Sequence, residues 1–510
     1  VDKWEPAVNT YKGNKPGVNV IQDDVIRISN LPDDEFEALV PDSEVIIGSP
    51  PCQSFSHSNK SGNADKAIGI KLIEAYLKII ARKKFKQESV LRYWVLENVP
   101  AVKEYIKEEY TAADFGLEGD FTLRPKGGAS GKYNAKYYGA PTNRERYLCG
   151  DFPKPVETKA EKEVTTLKQV LDSLGDPLRT DDGTITDINY PSLTLEAQKI
   201  TDQRYIYELA EFECKTAKRL KQDKGYMGKM SFPENLDKPA RTVMATMTAS
   251  AREAMILGYG KDRYRLPTVR EAACMMSFPI DYWFYGESKG IKHTLVGNAV
   301  PPKLSYAVAV AIAKAENETI PAQYVPIEHP TDEKLPFFNL NGVKFKIREE
   351  QHKRETAKFK YHIPYLIYSA YRVELTNYHS KFDISEFKWD VEIHYSQGKD
   401  KAKVLTPNIN KRNLSDELYG KIKSYIEMIT PMLPTTYSYF QKLYCMTSEE
   451  RKSKNKYGPY ELLDSIRKFL DDTIPEENHD KIIEISGDVQ LPHAILAGYY
   501  TMSRIINRMH

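Results

Sequence analysis

Ser43-Glu44-Val45-Ile46-Ile47-Gly48-Ser49-Pro50-Pro51-Cys52-Gln53 is the stretch on which the fold turns. An apolar run ends abruptly in a Ser-Pro-Pro corner, which reads as a buried strand whose carboxyl end opens into a polar loop. Tyr93-Trp94-Val95-Leu96 repeats the pattern and ends at Glu97-Asn98-Val99, and Val18-Asn19-Val20-Ile21 does so before Asp23-Asp24. Between these runs, Ile70, Ile73, Tyr76, Leu77 and Ile80 recur at helical spacing, and Pro32 to Val40 reads as a short helix. Strand, helix and strand in alternation predict an α/β fold with a parallel doubly wound sheet. Such sheets bind ligands at the carboxyl ends of their strands, where Asp24, Cys52 and Glu97 all fall.

Working outward, the chain has 510 residues, 73 Lys and Arg against 71 Asp and Glu, and 41% hydrophobic residues. That length implies roughly two to four domains and argues against disorder as the main state. No run of about 18 uncharged apolar residues and no basic-then-apolar start is present, so a cytoplasmic location is expected. The five cysteines are odd in number and never form a CxxC pair, which disfavours a disulfide framework or a zinc ribbon. The net charge of +2 gives no global signal for nucleic acid, although a local basic face suffices to contact phosphates.

Three short elements carry chemistry. Pro51-Cys52-Gln53 sets a thiol on a loop after a strand; alone, such a cysteine is more often packing than nucleophile. Glu97 would ordinarily be solvated, but beside a thiol it could serve as a proton donor. Arg144 and Arg146, at i and i+2 before Tyr147-Leu148-Cys149-Gly150, would point the same way on a strand and could clamp an anion or a pyrimidine O2. Alone, a surface charge pair is the plainer reading.

The ordered combination is more specific. Pro51-Cys52-Gln53, Glu97-Asn98-Val99, Arg144-Glu145-Arg146, Arg270-Glu271-Ala272-Ala273 through Ser277-Phe278-Pro279, and Gly297-Asn298-Ala299-Val300-Pro301-Pro302 together resemble the DNA (cytosine-5) methyltransferase family over about residues 1–315. The resemblance implies an S-adenosylmethionine-dependent enzyme with a doubly wound methyltransferase fold. It would transfer methyl to C5 of a flipped-out cytosine in double-stranded DNA through a covalent Cys52 adduct. Glu97 would hold N3 and the exocyclic amine, Arg146 would hold O2, and Arg144 would support the catalytic loop. Val1, Asp24, Val25, Pro51, Asn298 and Ala299 would bind the cofactor. Gln53, Ser54 and Ser56 of a polar loop, with Lys229 and Arg241 of the recognition region, would contact DNA. A restriction-modification or related defence system is the implied setting, with a cognate restriction endonuclease as a partner. An RNA cytosine-5 methyltransferase and a non-catalytic DNA-binding subunit of a split methyltransferase are the alternatives.

The expected organisation is a catalytic domain over 1–154, a target-recognition region over 155–262, a return segment over 263–316, a linker over 317–336 and an additional C-terminal α/β domain over 337–510. The family's opening strand with its Phe-x-Gly-x-Gly-Gly loop has no counterpart in this sequence, and Val1-Asp2-Lys3-Trp4 resembles the family's residues immediately beyond the next strand. A longer chain, or a second polypeptide supplying the missing glycine-loop strand, is the expectation. Thr142 stands where the family commonly has Gln. In the tail, Lys344, Lys346, Arg348, Lys353, Arg354, Lys358 and Lys360 among aromatics read first as a solvated charge run and second as a nucleic-acid face. Glu386-Phe387-Lys388 is too short a pattern to establish a nuclease.

Overall fold

A computed structural model of the chain has two compact units, Val1–Glu208 with Pro233–Lys346, and Leu209–Phe232 with Ile347–His510. It describes residues 1–51, 53–55, 66–178, 183–222, 230–321, 323–330, 335–368, 370–395, 403–486 and 489–509, without the side chains of Gln53 and Ser486.

The first unit is built on β1 (Val45–Gly48), β2 (Tyr93–Asn98), β3 (Gly131–Asn134) and β4 (Glu145–Asp151), in the order β1-β2-β4-β3. β1 and β2 are parallel, as the strand-helix-strand pattern predicts, but β4 is antiparallel to both β2 and β3, so the sheet is mixed. Alternation along the strands gives the sheet two apolar faces. Trp94, Leu96, Tyr147 and Cys149 pack with Ile73, Tyr76, Leu77 and Ile80 of α2 (Lys66–Lys84), a helix that comes after α1 (Glu5–Asn14) in the chain. Val95, Leu148 and Tyr133 face the other way.

That second face is covered from the far end of the chain. After α3 (Val269–Met275) and α4 (Lys289–Asn298), Leu304, Ala307, Val308 and Ile312 of α5 (Pro302–Ala315) pack on Val95 and Leu148. Pro302 opens α5 at a position where a missing N–H costs nothing. Burying each large side chain contributes about 1.5–3 kcal/mol, so both helices are strongly held to the sheet. The stretch Lys289–Ala315 is apolar and long enough to cross a bilayer, but it is two helices, and Leu304, Ala307, Val308 and Ile312 of the second lie in this core.

Two expectations change. Val18–Ile21 forms no strand; this segment meets residues 1–2 only through the isolated bridge Asp2↔Gln22, Val18 is exposed, and Gly17 before it adopts φ 84°. Three apolar residues after a Pro-Gly turn are too few to bury an edge. Residues 323–330, expected within a linker, are laid onto the first unit instead. The Tyr324 hydroxyl and the Ile327 N–H donate to Asp281 at 2.8 and 2.9 Å, and the His329 ring stacks on Trp283 at 3.8 Å.

The second unit has a four-stranded antiparallel sheet of β5 (Lys360–Tyr368), β6 (Tyr371–Thr376), β7 (Asp390–Tyr395) and β8 (Lys403–Leu405), in sequential order. Its core joins Ile363, Val373, Leu375 and Ile393 to α6 (Asp416–Ile429), α7 (Tyr437–Cys445), α8 (Pro459–Thr473) and α9 (His493–Ile506). Helix Glu211–Gln222, expected in the recognition region, belongs to this unit. Its Arg219 lies 4.1 Å over the Tyr460 ring and donates to Asp464 at 3.1 Å.

Candidate active site

The carboxyl ends of β1 and β2 lie side by side, because Gly48 pairs with Leu96 in the parallel register. Glu97 continues the Val95 face of β2 and Arg146 the Leu148 face of β4, so the two side chains meet. Arg146 Nε donates to Glu97 Oε1 at 2.9 Å, with side chains only 10% and 7% exposed. The Ser49 hydroxyl donates to the other Glu97 oxygen, Oε2. Both carboxylate oxygens are therefore oriented, one from β4 and one from the loop that leads to Pro51.

The same loop is fixed from beneath. Asn98, fully buried, donates through Nδ2 to the Pro50 carbonyl at 2.8 Å and accepts from Val99 N at 2.9 Å. Cys52 and Ser56, expected as nucleophile and DNA contact, lie outside the described residues, as does Lys229. Pro51 and the short turn Gln53–Phe55 bracket Cys52 in the chain. Ser54 is partly buried in that turn.

Glu97, Arg146, Ser49 and Pro51 line one cavity of about 760 Å³. Its wall carries Trp4, Phe278, Tyr282 and Phe284, with Asp2, Lys3 and Thr10 among its polar groups and Asn298 with Ala299 at the end of α4. This size and mix of apolar wall and few convergent polar groups are those of a small-molecule site. An adenosyl ligand fits it chemically: aromatic faces accommodate a purine ring and attract a sulfonium cation.

Gly297 shows why the wall can close. A Cβ there would stand 2.3 Å from Ala245 N, so only glycine lets the end of α4 approach that backbone. Arg144 binds the same place. Its guanidinium donates to the carbonyls of Val243, Gly297 and Ala299 at 3.0, 2.8 and 3.0 Å and is buried. Arg144 and Arg146, expected to act as one clamp, have different partners: β4 begins at Glu145, and Arg144 before it is committed to backbone carbonyls. Arg146 serves the carboxylate, and Arg144 holds the cavity wall.

Asp24 caps helix Val25–Ser29 by accepting from Ile26 N at 2.8 Å, and it pairs with Lys3 at 2.8 Å. The Lys3 hydrogen bond holds its carboxyl below the usual range. Asp24 thus reaches the cavity through Lys3, while Val25 packs with Ile28 and Phe36. Val1 is exposed. Arg241 is engaged with Glu234 through Nε at 3.1 Å and through a second, shorter contact, leaving its side chain 22% exposed. Thr142 is buried and donates to the Arg241 carbonyl at 3.1 Å.

Sequence reasoning missed Ser49, Asn98, Lys3 and the aromatic wall. Asn98 stood inside the Glu97-Asn98-Val99 motif, and Phe278 inside Ser277-Phe278-Pro279, but neither carried a role that residue type alone could reveal.

Paired strand ends that present an oriented Glu-Arg pair beside a cavity with an aromatic wall suit group transfer on a bound small molecule. A family model described as C-5 cytosine-specific DNA methylase matches residues 1–314, and the chain belongs to that family. It is 28% identical over 328 residues to the putative type II methyltransferase M.MJ0563P of Methanocaldococcus jannaschii, covering 62% of this chain and 91% of that one. It is 26% identical over 347 residues to the type II methyltransferase M.MthTI of Methanothermobacter thermautotrophicus, covering 61% and 89%. The likeness to solved structures is looser: S. pombe Dnmt2 methyltransferase gives a TM-score of 0.39 at 17% identity, covering 62% and 90%.

Proposed function

We propose that the chain methylates C5 of cytosine in double-stranded DNA, using S-adenosylmethionine held in the cavity and a covalent bond from Cys52 to the base. The observation that carries this reading is the convergence on one cavity of Glu97 and Arg146 with Pro51, the residue before Cys52, and Asn298 and Ala299 of the opposite wall.

Each residue has a step. The Cys52 thiolate adds to C6 of the cytosine, and Glu97, which takes up a proton from solvent as the base enters, passes it to N3, so that electron density collects at C5 rather than as charge on the ring. Ser49 and Arg146 fix the carboxyl against rotation, and the Arg146 guanidinium is the donor for O2. S-adenosylmethionine, when bound, supplies the methyl electrophile; Lys3, Trp4, Pro51, Asn298 and Ala299 are the residues to hold it. A solvent water takes the C5 proton, the freed electron pair forms the C5=C6 bond as the Cys52 thiolate leaves, and N3 returns its proton to Glu97, which restores aromaticity. A base stacked in a duplex cannot enter this cavity, so the target must leave the stack, at a cost of a few kcal/mol.

The DNA substrate is supported by the family description and by the type II methyltransferases among the relatives, which also favour a restriction-modification setting with a cognate endonuclease. Gln53, Ser54, Ser56, Lys229 and Arg241 remain the proposed DNA contacts, and for Arg241 this requires exchange of Glu234 for a phosphate or base edge. The β1 edge, with Ile47 58% exposed, is where a further strand from a second polypeptide could pair. Incubation with methyl-tritiated S-adenosylmethionine and either duplex DNA or total RNA tests the substrate. Label should enter DNA and disappear in Cys52→Ala; label in RNA alone would replace this reading with the RNA enzyme.

A further inference from the structure

The second unit carries a cluster that methyl transfer does not use. Val373, Leu375 and Ile393 take the core face of its sheet, so Lys360 and His362 of β5, Arg372 and Glu374 of β6, and Glu392 and His394 of β7 share the opposite face. The register sets Glu374 directly opposite Glu392, and Arg372 opposite His394. Carboxylates facing one another across strands repel. Yet Glu374, Glu392 and His394 are only 4%, 8% and 4% exposed.

Their donor atoms, Glu374 Oε2, Glu392 Oε2 and His394 Nε2, lie within 4.8 Å of one another. Nε2 stands 2.8 Å from the Glu392 oxygen and 3.2 Å from that of Glu374. One ring nitrogen carries at most one proton, and the shorter contact takes it. Glu374 Oε2 is accordingly left buried without a hydrogen bond. Arg372 is spent on the other oxygen, Oε1. Lys360 Nζ stands 3.2 Å from Oε2 and 3.8 Å from Glu392. Both distances exceed the ~2.7–2.9 Å of a well-formed charge-assisted bond, and the Lys360 side chain is 34% exposed.

We propose that Glu374, Glu392 and His394 bind a divalent metal ion of the Zn²⁺ or Mn²⁺ class, with Lys360 swinging into solvent as the ion enters. Two carboxylates and an imidazole form a mixed donor set that suits these ions better than Mg²⁺, which prefers oxygen alone and keeps its water. Bonds of ~2.0–2.2 Å place the ligands of one ion ~3.0–3.5 Å apart, close to the 2.8 and 3.2 Å found, so small side-chain rotations complete the site. His362, opposite Glu374 on the same face, is the expected fourth ligand. Because all three ligands are buried, the ion would cross-link β6 to β7 as a closed structural centre.

The test uses the full chain, stripped with chelator and dialysed separately against ZnCl₂, MnCl₂ or MgCl₂, with bound metal read by mass spectrometry. A single retained equivalent of Zn²⁺ or Mn²⁺, its loss in His394→Gln and a tighter hold in Lys360→Gln are expected. A visible absorption band on Co²⁺ substitution should report the coordination in the unaltered chain, whether or not His394→Gln folds. Retention of none of the three ions by the unaltered chain, no Co²⁺ band, or equal retention by a folded His394→Gln would overturn the site. Methyl transfer is not the readout, so its failure is distinguishable from failure of the metal site.

Discussion

At the scale of residues, the chemistry rests on a carboxyl held from two sides. Glu97→Gln keeps the shape but cannot give up a proton, and it should lower kcat about 10²-fold or more while leaving S-adenosylmethionine binding intact. Arg146→Ala acts differently, since it leaves Glu97 buried without its ion-pair partner and should also destabilise the fold by about 3–5 kcal/mol. Steady-state methyl transfer beside urea unfolding separates the two effects. Asn98→Ala strands the Pro50 carbonyl, at a cost of about 1–3 kcal/mol, and should disorder the loop that bears Cys52. Glu97, Arg146 and Cys52 were legible because each stands in a short motif whose order along the chain is distinctive. Ser49 and Asn98 were not, because their hydrogen bonds span 48 residues and nothing local in the sequence signals them.

At the scale of elements, periodicity was a good guide where an element buries a continuous stripe. The α2 spacing Ile73, Leu77, Ile80 and the β2 run were readable from sequence for that reason, whereas β1, expected as a buried strand, is an edge strand of exposed and half-buried residues. Val18–Ile21 misled, because an apolar run after Pro-Gly has the composition of a strand without a sheet to join. The antiparallel pairing of β4 was equally hidden, since strand direction is set by long connections and not by residue pattern. The helix-end glycine gives the sharpest test at this scale. Gly297→Ala drives a methyl group into the Ala245 backbone and should widen the cavity wall, weakening S-adenosylmethionine binding by calorimetry more than Leu304→Ala on α5 does. Leu304→Ala, by contrast, should cost about 2–5 kcal/mol of stability.

At the scale of the whole molecule, three of the five cysteines are buried. Burial pushes the Cys149 thiol up to about 12 and raises those of Cys274 and Cys445, so all three should resist iodoacetamide in the native protein at neutral pH. The grouping of residues 209–232 with the C-terminal unit was not legible, because the helix Glu211–Gln222 has the polar, basic texture expected of a recognition region. The folding equilibrium should also carry the mark of His293, a fully buried ring with neither nitrogen hydrogen-bonded, whose burial lowers it from 6.5 to about 3. The unfolded chain binds the proton first. Stability is therefore full above about pH 6.5 and falls as pH drops toward 3, by up to about 1.4 kcal/mol per pH unit. His293→Leu should flatten that slope in urea titrations at successive pH values; an unchanged slope would remove His293 as its source.

The central claim is that Cys52 attacks a cytosine brought to Glu97 and Arg146, and the most direct measurement is mass spectrometry of the chain incubated with S-adenosylmethionine and a duplex containing 5-fluorocytosine. Fluorine at C5 blocks the final elimination, so the account expects a denaturation-stable protein–DNA adduct that maps to Cys52 and is absent from Cys52→Ala. An adduct at another residue, or methyl transfer to ordinary DNA with no adduct on the fluorinated duplex, would contradict it.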